Sequence, residues 1–354
     1  MSGLEVQTLP ASRYGEWTRF VERSPEGSIY ALPAYLAALT AATGARFRVL
    51  AASRGGEILG GIALHETDSR LTGRRAGPRL LLYYHGPVLA PYAGTYPSER
   101  TARDLEVLGA LADALGELGY DDVVLKSPAA LSDVRAFLAR GWSSHPAYSY
   151  VVPLDDLEAQ WGRVEGNLRR LIKRCRERDG IQFTDDCDFA SFFRLHALTL
   201  ERRRTATYLP EPEFRVFFET LATAGLARLY HARLADGTAI ASQLVLLGGH
   251  PVSHTVCAGM DPAYARIGAT AYLRWHSFEA LAGLGYRGND LTDAAINPVT
   301  HFKSQLGGRL ECALVVEAPS SPRAAFGHAL LNGVRRARGL TGAVVRRLRG
   351  RKST

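Results

Sequence analysis

The fold is decided by HTVCAGM (residues 254–260), DPAYARIG (261–268), ATAYLRWHSFEALAGLG (269–285), DLTDA (290–294) and HFKSQLGG (301–308). A β-rich run, a Gly-containing turn, a helix-spaced run and a second short run predict strand, helix and a strand returning beside the first. Ala271, Trp275, Phe278 and Ala282 recur at helical spacing, and Gly285 stands where a left-handed C-terminal residue is wanted. Gly288-Asn289 is turn chemistry, so the second strand is expected from Asp290 to Ala294. Free N–H groups at the start of such a helix stabilise anions, which makes Arg266, Gly268 and Ala269 the expected donor-binding turn. Lys303 is the lone cation of HFKSQ, and a solvated surface lysine is the competing reading.

Outward from this stretch, 354 residues suit two domains with ample core. No apolar run approaches the roughly 18 residues of a membrane span, and MSGLEVQTLP lacks the basic start and apolar centre of a signal peptide. Cys175, Cys187, Cys257 and Cys312 have neither zinc-ligand nor disulfide-framework spacing, so no metal is expected and a cytoplasmic setting fits. The net charge of +8 resembles a nucleic-acid signal until it is located. Eight basic residues and no acid lie between Arg335 and the end, and without them the chain is formally neutral. The excess belongs to the tail, for which association with RNA or the inner face of a membrane is expected and disorder is the competing reading.

In the first half, helices are expected between Tyr14 and Thr43. A hairpin follows, from Phe47 to Ser53 and Ile58 to His65 around Gly55-Gly56, and then a strand from Leu80 to Tyr84 ending in His85-Gly86-Pro87. Ser98 is the expected N-cap of a helix running to Leu118, Asp122 to Leu125 a strand, and Leu131 to Arg140 a helix. LADALGELGYDDVVL from Leu111 matches SFEALAGLGYRGNDL from Ser277 at six of fifteen places without gaps. The offset of 166 suggests a duplicated module. Under it Phe137 stands where the second copy has Lys303, and Val124 and Ser127 stand where it has Asp290 and Asp293. The second copy is therefore expected to carry the chemistry and the first to serve as a substrate platform. The boundaries are 1–152, 153–318 and a basic C-terminal helix and tail at 319–354.

Between the copies, NLRRLIKRCRERD (167–179) predicts a helix capped by Asn167, with an apolar stripe and a strongly basic remainder. Arg170 and Lys173 on that face, with the cluster of Arg202, Arg203, Arg204 and Tyr208 farther on, are candidate contacts for an anionic substrate; solvated surface charge is the alternative.

Tandem α/β modules joined by a basic helix, the FK-x-x-x-GG pattern of Phe302-Lys303 and Gly307-Gly308, the HGP of His85 to Pro87, and the run from DPAY (261–264) through GYRGNDL resemble the FemAB family and its BioF2-like acetyltransferase relatives. The resemblance covers about residues 10 to 317. It implies an α/β fold of two tandem acyl-CoA N-acyltransferase (GNAT)-like modules, each a mixed central sheet flanked by helices. It also implies transfer of an acyl or aminoacyl group to a small-molecule or muropeptide amine. No tightly bound cofactor is implied; acyl-CoA or aminoacyl-tRNA is the donor co-substrate. The CoA-binding pattern [QR]-x-x-G-x-[GA] is not met, because Ala265 and Thr270 flank Gly268 at its outer places. The long helical hairpin of some tRNA-using members is absent too.

An amine attacking an ester or thioester needs a route for its proton and positive charge near the developing oxyanion. Lys303 is the expected source of charge, Asp293 the group orienting or deprotonating the amine, and Asp290 its near equal. No Ser/His/Asp or Cys/His order stands out, so direct transfer is expected. Three readings follow: an N-acyltransferase, a tRNA-dependent aminoacyltransferase acting on a peptidoglycan precursor, and a non-enzymatic protein that displays its basic helix and tail to RNA or membrane.

Overall fold

In the computed structural model, which describes residues 3–331, the helices are α1 (Tyr14–Arg23), α2 (Pro33–Ala41), α3 (Pro97–Glu117), α4 (Arg135–Leu138), α5 (Leu157–Arg163), α6 (Gly166–Glu177), α7 (Phe189–Arg203), α8 (Glu211–Thr223), α9 (Ala269–Gly283) and α10 (Pro298–Ser304). The strands are β1 (Glu5–Thr8), β2 (Arg46–Arg54), β3 (Glu57–Ser69), β4 (Gly73–Ala76), β5 (Val88–Leu89), β6 (Asp122–Ser127), β7 (Ser143–Pro153), β8 (Gln182–Asp185), β9 (Ala227–Arg233), β10 (Ala239–Leu246), β11 (Val252–Met260), β12 (Gly288–Asp290) and β13 (Arg309–Glu317). A helical segment at 322–331 leads to the basic stretch from Arg335, which lies outside the described residues.

The two halves build the same series of elements from the same local chemistry. Gly55 and Gly56, both at positive φ, turn β2 into β3; Gly237, also at positive φ, helps turn β9 into β10. In each half a long helix then ends at a left-handed glycine, Gly119 after α3 and Gly285 after α9. The next strand pairs in parallel with an earlier one, β6 with β4 and β12 with β11. Gly119 to Gly285 and the start of β6 to the start of β12 keep the offset of 166 found in the sequence, while the hairpins stand farther apart.

The last strand of each half goes to the other half. β7 pairs antiparallel with β12, matching Asn289 to Val152, while β13 pairs antiparallel with β6, matching Val315 to Lys126. β7 and β13 also run against each other from Arg309↔Val151 to Glu317↔Ser143. One mixed sheet results, ordered β1-β2-β3-β4-β6-β13-β7-β12-β11-β10-β9-β8, with β5 on the side of β3.

Three apolar clusters cover its faces. Leu108, Leu111 and Phe137 belong to one in the first half, and Leu168, Ile172 and Phe278 to one in the second. The third is shared: Trp17 and Tyr35 of α1 and α2 join Phe192, Phe214 and Phe217 of α7 and α8. Tyr35 meets Phe217 edge-on at 5.8 Å. Fully burying each such side chain contributes about 1.5–3 kcal/mol, so the halves are fastened by core as well as by strands.

Five local expectations are corrected. Residues 80–84 form no strand, because Leu81 lies at φ 73° and the chain doubles back in a single Arg79↔Leu82 bridge. α3 begins at Pro97 with Tyr96 at the cap, not Ser98; proline suits the first helical position, having a fixed φ and no N–H to leave unpaired. The helix expected from Leu131 shrinks to α4. Glu165, not Asn167, caps α6, and the Asn167 side chain accepts from its neighbour's N–H instead. The strand expected to reach Ala294 stops at Asp290, since Thr292 and Asp293 are left-handed at φ 50° and 46°.

Candidate active site

β11 and β12 are parallel partners only over Val252↔Gly288, Ser253↔Asn289 and His254↔Asp290. β11 then continues to Met260 while the other chain turns away, so the strands part. α7 forms the opposite wall and lies hard against β11: a Cβ on Gly259 would stand 2.3 Å from the Leu195 backbone. The opening is a cavity of about 570 Å³. It is bordered by Thr255 to Ala258 of β11, Arg274 of α9, His196, Thr199, Leu200, Arg202 and Arg203 of α7, Tyr83, Tyr208, Leu291 to Asp293 and Lys303.

The turn after β12 is held from both sides. The Thr292 N–H donates to Asp290 Oδ1 at 2.7 Å, and its hydroxyl donates to the Thr255 carbonyl at 3.1 Å. α10 is fixed at its start by Asn297, whose side chain accepts from the Val299 and Thr300 N–H groups, with Pro298 in the first turn. This places the Lys303 ammonium on the turn, where it donates to the Thr292 carbonyl and, at 2.6 Å, to that of Asp293. Its partners are neutral carbonyls, so the positive charge remains available to a substrate. Burial, with Arg274 second, pushes Lys303 down to about 8.

Lys303, Asp293 and Tyr208 thus line one cleft. The Asp293 carboxylate makes no ion pair with a described residue and is exposed. Burial pushes the Tyr208 hydroxyl up to about 12 and the His196 imidazole down to about 4, so both are neutral at pH 7. Burial also pushes the Cys257 thiol up, which disfavours the thiolate a covalent route would need.

Asp290 stands elsewhere. It borders a neighbouring cavity of about 290 Å³ with Tyr84, His254 and Glu311. Its carboxylate accepts from the Tyr84 hydroxyl at 2.7 Å, from the Ser149 hydroxyl and from the Thr292 N–H, with His254 Nδ1 at 3.6 Å. Burial pushes this carboxyl up, but the nearby His254 and the Ser149 and Tyr84 hydroxyls outweigh burial and hold it below its ordinary value.

The turn into α9 forms a third region. Gly268, at φ 91°, precedes the buried Ala269, and Arg266 is exposed. The basic helix fastens this turn: Arg174 of α6 donates to the Arg266 and Ile267 carbonyls at 2.8 and 2.9 Å. Arg170 and Lys173 are exposed on α6, the latter beside a groove formed with Trp161 and Trp275. Arg204 is the left-handed cap ending α7, outside the cleft that Arg202 and Arg203 border.

Sequence reasoning missed Arg274 and Tyr83, whereas Arg202 and Arg203 belong to the basic cluster it named. Arg274 left a readable trace: it is the only cation in α9, between Leu273 and Trp275 in a helix apolar nearly all round. A charge there must either find a partner or face a cavity.

Residues 162–304 match the model of a family described as "Acetyltransferase (GNAT) domain". No curated protein matches the chain closely enough to count as a relative. Among solved structures, the chain is similar to FemX at 13% identity and a TM-score of 0.69, over 88% of this chain and 96% of that one. It is similar to the C-terminal domain of a putative lysylphosphatidylglycerol synthetase from Agrobacterium fabrum at 14% identity and a TM-score of 0.58, over 92% and 96%. A tandem GNAT protein from the clavulanic acid biosynthesis pathway is similar at 15% identity and a TM-score of 0.53, over 90% and 99%. At these identities the likeness is one of fold, and no helix among the described residues is long and apolar enough to cross a membrane. Apart from Tyr83, every residue named at the cleft lies inside the matched segment; residues 162–304 are similar to a GNAT acetyltransferase domain, and the chain is an acyltransferase.

Proposed function

We propose that this cleft transfers an acyl or aminoacyl group from an activated ester or thioester to an amine. The observation that carries the reading is the Lys303 ammonium, held at the parting of β11 and β12 by two carbonyls and in no ion pair with a described residue. The amine nitrogen attacks the carbonyl carbon, forming the C–N bond and a tetrahedral oxyanion. The C–S or C–O bond then breaks, the amine loses a proton, and the leaving sulfur or oxygen takes one up. Lys303 stabilises the oxyanion, and Asp293 orients the amine and accepts its proton. Asp290 is a positioning residue, holding the Thr292–Asp293 turn through the Thr292 N–H. Anionic groups of the donor lie at the α9 N-terminus, over Gly268 and Ala269, with Arg266, Arg170 and Lys173 around them. Tyr208 and Arg204 contact substrate from the α7 side.

In this reading residues 153–318 are catalytic and residues 1–152 the platform. The donor is acyl-CoA or aminoacyl-tRNA. The resemblance to the FemAB family makes a muropeptide one acceptor to assay, and a peripheral place at the inner face of the membrane would suit it. Lys303→Ala should lower turnover about a hundredfold or more, as loss of an oxyanion-stabilising group does, without changing the melting temperature or circular dichroism. Unimpaired transfer by this folded variant rejects the assignment.

A further inference from the structure

Arg274 has no role in the chemistry above, and its position is unfavourable as it stands. Its side chain is only 8% exposed, and Nη1 has no hydrogen-bond partner among the described residues. Its neighbour Cys257 carries a protonated thiol, not a counter-charge. Burying an unpaired guanidinium costs several kcal/mol. Replacing such a group by an apolar one is often neutral or stabilising, so a folded chain gains nothing from keeping it unpaired.

Its surroundings say what would satisfy it. Arg274 borders the same cavity as Lys303, and Arg202 and Arg203 stand at the rim without ion pairs to described residues. Asp293 is the only carboxylate bordering it among the described residues. An amine in water is mostly an ammonium ion, and four cations repel it. An amine that brings an anionic group is attracted instead, and a planar guanidinium binds carboxylate or phosphate through two parallel hydrogen bonds. Arg274 also lies five residues into α9, about 7.5 Å along the axis from Ala269, so it is separate from the helix start assigned to the donor.

We propose that the acceptor is an anionic amine, carrying its own carboxylate or phosphate, and that Arg274 receives that group at the floor of the cleft. This rests on the acyl-transfer reading of the same cavity. Binding orients the acceptor so that its amine lies toward Asp293 and Lys303.

The test is thermal melting of the full chain against inorganic phosphate and against acetate, each compared with chloride at matched ionic strength. At least one anion raises the melting temperature of the wild type, and the responding arm tells phosphate from carboxylate. In Arg274→Met the apparent affinity for that anion falls about tenfold or more, while the anion-free protein melts at or above the wild-type temperature. Arg274→Lys keeps charge without the fork and binds with intermediate affinity. The inference is overturned if neither anion shifts the wild type, if the shift survives in Arg274→Met, or if the anion-free Arg274→Met protein melts lower. The readout is binding, so it stands apart from the Lys303→Ala turnover assay: lost anion binding with Lys303-dependent transfer intact would sink this inference alone.

Discussion

Lys303 is the residue at which geometry and titration meet. A lysine donating to two backbone carbonyls in a half-buried place keeps its charge less readily than one in water, and burial brings it to about 8. Because the charged form is disfavoured in the fold, the unfolded chain binds more protons between pH about 8 and 10.5, and this group's contribution to stability rises with pH across that window. Activity should go the other way. If the oxyanion needs the ammonium, kcat/KM falls as pH rises through about 8, beyond any limb set by the acceptor's own amine. Lys303→Arg, with a group that stays charged, should carry that limb upward by about one unit or more even if turnover drops. A profile level from pH 7 to 9.5 in the wild type would show that no ammonium is needed. The residue was legible because the FK-x-x-x-GG pattern singled it out. Its two partners were not, since they depend on a left-handed turn where the sequence suggested a strand.

At the scale of elements, the cleft exists because β12 is short and α7 is close. The sequence showed β11, α9 and their Gly-bearing connection, because strand and helix periodicities differ and glycines mark the breaks. It did not show where β12 stops: DLTDA alternates like a strand, and of the bonds that turn it one is local, to Asp290, while the other comes from Thr255 on β11. Leu80 to Tyr84 misled as well: a bend at Leu81 buries Leu81, Leu82 and Tyr84 and leaves Leu80 exposed. The closeness of α7 rests on Gly259. Gly259→Ala would bring a methyl within 2.3 Å of the Leu195 backbone, which cannot rotate aside as a side chain could. The helix must retreat, and overpacking of this kind costs about 1–3 kcal/mol. A lower urea midpoint with unchanged slope, together with a raised KM, is expected; wild-type values for both would mean that α7 does not set the width of the cleft.

Over the whole molecule, the duplication is legible in sequence and the exchange of final strands is not. A repeat at a fixed offset identifies equivalent residues, but β7 and β13 are absent from the strands expected above, and pairing across more than 150 residues leaves no local mark. The consequence is physical. A chain cut between residues 152 and 153 leaves β6 without β13 in one fragment and β12 without all but the end of β7 in the other. It also divides the shared cluster in which Tyr35 meets Phe217. Each fragment would then expose unpaired strand edges and several large apolar side chains, which favours aggregation over folding. Residues 1–152 and 153–354 expressed separately should therefore be insoluble or melt without a cooperative transition, whereas co-expressed fragments should copurify in equal amounts and recover Lys303-dependent transfer. A soluble 153–354 fragment with its own sharp transition would mean that the second half completes its sheet without the strand it borrows. The cleft beside β12 would then be a property of one module and not of the pair.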